Sequence, residues 1–82
     1  MSYEKVTQAN KTIIGTKQAV KAIQAGIVTE VIIAQDAEER IIRPVLDNAE
    51  LHRITVTYVD SRKKLGEACG IAVGATVVAI TE

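Results

Sequence analysis

Eighty-two residues with ten basic and ten acidic side chains exclude a chain that holds nucleic acid by bulk charge, because the net charge is zero. They also exclude two separate cores, since a chain this short buries only roughly 60% of its unfolded surface. Apolar residues make up 48% with no Trp or Phe, so one domain over 1–82 is expected, a thin α/β arrangement with a core of Ile, Val, Leu and Ala.

The chain starts polar at Met1-Ser2-Tyr3-Glu4-Lys5, and its apolar runs fall far short of the roughly 20 residues a membrane span needs. Neither a signal peptide nor a transmembrane helix is expected. From Tyr3 to Asn10, Tyr3, Val6 and Ala9 or Asn10 have helical spacing, which predicts one or two turns. Thr12-Ile13-Ile14 is a β-branched run and predicts a short strand. Gly15 breaks it, and from Thr16 the apolar positions become Ala19, Val20 and Ile23, the stripe of an amphipathic helix that Gly26 stops.

Residues 28–34 contain Glu30-Val31-Ile32-Ile33-Ala34, a run too short for a helix that fits a buried central strand. Asp36 follows as a turn or cap residue. Residues 37–53 read as a helix with Ile41, Ile42, Val45, Leu46, Ala49 and Leu51 on its apolar side, kinked at Pro44 or beginning near it. Residues 54–59 alternate β-branched residues with period two, a strand with one face less buried. Ser61 offers an N-cap to a short helix over 62–69 with Leu65, Ala68 and Cys69 inward. Gly70-Ile71-Ala72-Val73-Gly74 is an apolar loop bracketed by glycines, and residues 75–80 predict the last strand. Four helices alternating with four strands predict a three-layer α/β/α sandwich around a mixed four-stranded sheet.

The chemistry of an enzyme is hard to build here. His52 is the single histidine and has no Ser-His-Asp or Cys-His companions at usable spacing. Cys69 is the single cysteine, which rules out an intramolecular disulfide and a cysteine cage for a metal. It reads as a small core residue, and a reducing, cytoplasmic setting is expected. Asp36, Glu38 and Glu39 cluster where acids favourably meet a helix dipole and need no metal to explain them. Gly66, Gly70 and Gly74 recur every four residues, yet no Lys-Ser/Thr pair of a phosphate loop follows. Backbone freedom is the simpler reading: Gly70 ends a helix and Gly74 turns the loop into the last strand. No catalytic residue, metal or cofactor is assigned.

Charge is unevenly distributed. Residues 1–27 carry a balance of +3, residues 28–51 of −4 and residues 52–67 of +2. Two basic segments around an acidic one can fold into one positive and one negative face; random alternation is the alternative. Lys17 and Lys21 are four apart and share a helix face directed away from Ala19, Val20 and Ile23, with Gln18 beside them. A lysine in the first turn opposes the positive end of the helix dipole, and Arg62-Lys63-Lys64 repeats the offence at a second helix start. Places where local rules are broken are candidates for function, against the alternative of a solvated face. Gly15-Thr16 can present helix-end amides and a hydroxyl to a phosphate or a base edge. Ile71-Ala72-Val73 can offer an extruded nucleotide an apolar rest without an aromatic ring.

At these residues the sequence resembles a known family. Gly15-Thr16-Lys17-Gln18 followed by Lys21, then Val31-Ile32-Ile33-Ala34-Gln35-Asp36, then Lys64-Leu65-Gly66-Glu67-Ala68-Cys69-Gly70-Ile71 are similar to the kink-turn RNA-binding proteins of the L-seven-Ae ribosomal-protein superfamily. The likeness spans essentially the whole chain and is greatest to the short, bacterial, ribosomal-protein-like branch.

The resemblance implies a three-layer α/β/α RNA-binding domain, a monomer without catalytic activity, whose partner is structured RNA containing a kink-turn. That motif is a sharply bent helix with a three-nucleotide bulge flanked by sheared G·A pairs, found in ribosomal RNA and riboswitches. The ribosome is an implied location. By the resemblance, Gly15, Thr16, Lys17, Gln18 and Lys21 enter the groove opened by the bend, and Ile71, Ala72 and Val73 cover the bulge. Arg62 and Lys64 join them as basic contacts on the second helix start.

The chain departs from the archaeal pattern, which carries Asn-Glu where Lys17-Gln18 stands and an acid where Ala72 stands. Lysine donates without accepting, so what is read changes. The same superfamily contains stress-response members that work through protein partners, and a protein-interaction scaffold with its working face at 36–50 is the competing expectation.

Overall fold

A computed structural model describes residues 3–9 and 11–81. Asn10, one of two residues offered above for the first helix's apolar side, lies outside them. The elements follow in order: α1 Tyr3–Gln8, β1 Thr12–Ile14, α2 Thr16–Gln24, β2 Glu30–Ala34, α3 Glu39–Leu51, β3 Thr55–Val59, α4 Arg62–Ala68 and β4 Val77–Ile80. The sheet order is β1-β4-β2-β3. β4 is antiparallel to both β1 and β2, whereas β2 and β3 are parallel, so the sheet is mixed.

Alternation in the two central strands divides the interior into two layers. Val31, Ile33, Val77 and Ala79 face one way, against Ala19, Ala22 and Ile23 of α2 and Ile42, Val45 and Ala49 of α3. Ile32, Ala34, Val78 and Ile80 face the other way, against Val6 of α1 and Leu65 of α4. The α/β/α sandwich is therefore the one predicted. Period two in a strand with both faces covered leaves every residue of β4 buried.

α3 departs from expectation. It runs from Glu39 to Leu51 with Pro44 inside it, rather than starting at the proline. Pro44 and Arg40, whose carbonyl loses its helical partner, are both exposed, so water can satisfy that carbonyl. Its apolar side is also narrower: Ile42, Val45 and Ala49 are buried, but Leu51 is 77% exposed and Ile41 43%. α2, α3 and α4 end alike. At each, the residue after the C-cap has a positive φ (Gly26 77°, Arg53 57°, Gly70 77°), and paired amides return to the last turn, as from Gly70 and Ile71 to Glu67 and Gly66.

Tyr3 fastens α1 to the far side of the sheet. Its hydroxyl donates to the Asp60 carboxylate and accepts the Ser61 amide at 3.2 Å. Local desolvation and then the Asp60 hydrogen bond raise the Tyr3 phenol above its usual value, while the Tyr3 hydrogen bond holds Asp60 below the usual carboxylate range. A depressed carboxylate stabilises above its unfolded value and loses this as pH falls through the folded one. A raised phenol stabilises below its unfolded value and loses this as pH rises through the folded one. Tyr3→Phe is thus expected to lower the melting temperature at pH values between roughly 4 and 10, with the two proteins converging in acid and in alkali. Thermal unfolding followed by circular dichroism across pH checks it; parallel curves at all pH values would refute the assignment.

Candidate nucleic-acid interface

β1, β2 and β3 all point the same way, so their C-terminal ends and the start of β4 share one edge of the sheet. Open α/β sheets offer ligands this edge, because the strand-to-helix connections leave helix starts and loops clustered there. The start of α2, the turn at Gln35-Asp36, the start of α4 and the loop before β4 all meet at it. β4 lies between β1 and β2, so the Gly15 and Asp36 segments flank its first residues, about two strand spacings or roughly 10 Å apart.

The start of α2 is built by Gly15. Its φ of 111° and ψ of 152° lie in a region essentially closed to side chains, and a Cβ there would come within 2.7 Å of Gln18 Oε1. The Gly15 amide donates to Val77 O at 3.0 Å, which pins the turn to β4, and the Gly15 carbonyl accepts from Ala19 at 3.0 Å. The amides of Thr16, Lys17 and Gln18 precede the first helical bond and no side chain caps them. No acid stands in this first turn. Lys17 and Lys21 are exposed and, among the described residues, have no ion-pair partner. They rim an apolar groove between α2 and α3, floored by Val20, Ile41 and Pro44 with Thr16 and Gln24 at its ends.

The start of α4 solves the same local problem differently. Ser61 Oγ accepts from the Lys64 amide at 3.1 Å, the cap expected of it. Asp36 then supplies, from another element, the acid that α4 lacks: Oδ1 accepts from the Arg62 amide at 3.0 Å and pairs with Arg62 Nε at 3.4 Å. Asp36 therefore caps α4, not its own neighbour α3, which begins at Glu38 without a side-chain cap. Lys64 Nζ pairs with Asp60 at 3.5 Å. Of the two helix starts carrying cations against the dipole, α4 is compensated by Asp36 and Asp60, and α2 is not.

The loop before β4 is held close against this arrangement. Ala75 donates to Arg62 O at 3.0 Å and Ala34 donates to Thr76 O at 3.0 Å. Ile71 is half-buried against the α1/α4 core, whereas Ala72 is exposed and Val73 is 70% exposed. Ile71 is thus the loop's anchor, and Ala72 and Val73 are the apolar surface it presents. Gly66 permits the approach: a Cβ there would stand 2.0 Å from Val73 O. Gly74 has no positive φ, so its place in the turn does not rest on glycine's backbone freedom.

The sheet edge thus gathers Gly15, Thr16, Lys17 and Gln18, with Lys21 one turn further along α2, and across β4 brings Arg62, Ala72 and Val73. Lys64 is drawn instead toward Asp60, beside Tyr3 of α1. Three residues join that sequence reasoning did not assign: Lys63, Asp36 and Thr76 line a polar concavity with Arg62 and Gly74. Asp60 standing four residues before Lys64 was the available signal for Lys63 over Lys64, since that spacing pairs charges along a helix. Burial raises the Cys69 thiol above its usual value. His52 is exposed at the end of α3, far from this edge.

Known proteins share the sequence and the fold of this chain. An RNA-binding protein of Geobacillus sp. strain WCH70 is 56% identical over 80 residues, 98% of each chain. RNA-binding protein YbxF of Geobacillus stearothermophilus is equally similar, 56% over 80 residues and 98% of each chain. Among solved structures, a Bacillus halodurans protein of unknown function superposes with a TM-score of 0.85 at 31% identity, over 98% of this chain and 80% of the other. The Giardia lamblia 15.5 kD RNA binding protein gives 0.84 at 26% identity, over 98% of this chain and 68% of the other. The model of the ribosomal protein L7Ae/L30e/S12e/Gadd45 family matches residues 2–82, and with it the shared fold and whole-chain identities establish that this chain belongs to that family.

Proposed function

We propose that the protein binds RNA at a kink-turn and stabilises the bent state, acting by binding and not by catalysis. The observation that carries this reading is the uncompensated start of α2, where three uncapped amides stand with two exposed lysines that have no ion-pair partner among the described residues, beside an exposed apolar loop. Its relatives' names as RNA-binding proteins support the polymer, and the sheet-edge geometry supports the shape. A regular A-form helix has a major groove too narrow for a helix end, so a bend that opens the groove is what makes Gly15 to Gln18 usable.

In this reading the α2 amides, Lys17 and Gln18 meet base edges and phosphates in the opened groove, and Lys21 follows the backbone. Ala72 and Val73 rest against bulged nucleotides, with Ile71 holding the loop down. Lys63 meets a phosphate on the far side of β4, and Arg62 and Lys64 contribute less because Asp36 and Asp60 already hold them. The protein acts as a cytoplasmic monomer, with ribosomal RNA or a riboswitch as its target. In the acidic stretch over 36–50, Glu38 and Glu39 are already paired with Arg40 and Arg43, and Asp36 with Arg62, which leaves only Asp47 and Glu50 as exposed acids without an ion pair among the described residues.

Contacts available only to the bent form shift the RNA toward it by their differential free energy. A gel-shift titration against a kink-turn and a straight duplex of equal length is expected to give at least about a hundredfold tighter binding to the former, roughly 2.7 kcal/mol. Equal affinities would sink the proposal.

A further inference from the structure

Resting on the RNA-binding reading above, we infer that Asp36 is a positioning residue that sets the apolar half of the interface and restrains Arg62 from binding RNA indiscriminately. Asp36 touches no exposed face of α2 and stands in an acidic stretch, which makes it an odd neighbour for a polyanion. Its partners explain the choice. One carboxylate oxygen, Oδ1, accepts the Arg62 amide at 3.0 Å and lies 3.4 Å from Arg62 Nε. The carbonyl of the same Arg62 accepts the Ala75 amide at 3.0 Å. A chain of two hydrogen bonds therefore runs from the end of β2, through the first residue of α4, to the loop that carries Ala72 and Val73.

Loop position matters only for a bent RNA that reaches Ala72 and Val73, whereas a freed Arg62 attracts any phosphate backbone. Asp36 thus fixes the contact that reads the bend, and it occupies a cation that would otherwise raise binding to bent and straight RNA alike. Asn keeps an oxygen acceptor for the Arg62 amide but loses the charge, while Ala loses both.

The expected results separate these parts. Asp36→Ala weakens kink-turn binding about tenfold and strengthens straight-duplex binding about threefold, so the ratio between them falls about thirtyfold. Asp36→Asn raises kink-turn and straight-duplex binding alike, about threefold, so their ratio stays within about twofold of wild type. In the free protein, hydrogen exchange of the Ala75 amide is about tenfold faster in Asp36→Ala and near wild type in Asp36→Asn, measured where both variants are fully folded. Equal loss of kink-turn binding in both variants, or a fall in both affinities with their ratio unchanged, overturns the inference. Should the wild-type protein itself fail to prefer a kink-turn, the functional proposal falls, and the Ala75 exchange rates alone decide Asp36: an unchanged rate in Asp36→Ala overturns its positioning role.

Discussion

Gly66→Ala is expected to lower the melting temperature by about 10 °C and to weaken kink-turn binding about tenfold at temperatures where the variant is still folded. Two effects of opposite sign compete at this position. Gly66 sits inside α4 without a positive φ, so helix propensity by itself would make alanine stabilising by about 1 kcal/mol. Against that, the new Cβ would lie 2.0 Å from Val73 O, 3.0 Å from Val73 C and 3.1 Å from Gly74 Cα, all of them backbone atoms. No side-chain rotation relieves such contacts, so the loop or the helix must move.

Overpacking of this kind costs roughly 1–3 kcal/mol, and occasionally more. A net loss near the upper part of that range, about 2 kcal/mol after the propensity gain, corresponds to about 8–16 °C in a domain of this size. The binding defect follows from the same displacement, because Val73 is the most exposed part of the apolar loop. Gly70→Ala is the matched control. Its φ is 77° and its Cβ meets nothing within 4 Å, so it pays for the left-handed backbone with about 1–2 kcal/mol of stability and leaves the loop in place. Thermal unfolding and gel shifts on both variants decide the matter; a Gly66→Ala protein as stable as wild type would show that the close approach does not matter.

The contrast between Gly66 and Gly70 also marks where sequence stops being informative. Gly70 is legible because a helix terminator is a local device, recognisable from the apolar stripe that ends before it. Gly66 is constrained by a backbone oxygen seven residues away, and nothing in the order of residues records that approach. The same division holds across the chain. The short, unbroken apolar runs ending at Ala34 and Ile80 marked both central strands, and the Ser61 cap and Gly15 break placed two helix starts. Asp36 was read as belonging to the next helix because acids and helix starts are usually neighbours; its real partner, Arg62, lies 26 residues on and is reached across the sheet edge. Leu51 fitted the apolar spacing of α3 but is the helix's last residue and stands 77% exposed. Local rules failed where a second segment supplied what the first lacked.

Lys17→Ala combined with Lys21→Ala is expected to flatten the salt dependence of RNA binding without altering stability. The argument turns on which cations are free to move. Lys5, Arg40, Arg43, Arg62 and Lys64 each have a carboxylate within 4.0 Å, whereas Lys17 and Lys21 have none among the described residues. A free lysine loses no protein partner when it meets a phosphate, so these two contribute more to association than the paired cations. Each phosphate neutralised adds roughly 0.7–0.9 to the slope of log affinity against log salt concentration, so the double variant should lose about 0.8 from that slope, the share of the one lysine that meets a phosphate. Between 50 and 200 mM salt the wild-type affinity would then fall roughly threefold further than the variant's.

The thermal midpoint should stay within about 2 °C, since exposed charges away from a cap or core change stability by less than about 0.5 kcal/mol. If anything it should rise, because both substitutions introduce the best helix former and one removes a cation from the first turn of α2. The slope also separates two roles for these side chains. A lysine that donates to a guanine edge, not to a phosphate, would change the preference for kink-turn over duplex while leaving the slope close to wild type. Lys17, beside the free amides at the helix end, is placed for the base edge, and Lys21, one turn further along the groove, for the backbone. The single variants are therefore expected to differ: Lys21→Ala lowers the slope, and Lys17→Ala lowers the discrimination. Single variants with indistinguishable salt slopes and indistinguishable preferences would refute that division of labour while leaving the shared basic surface in place.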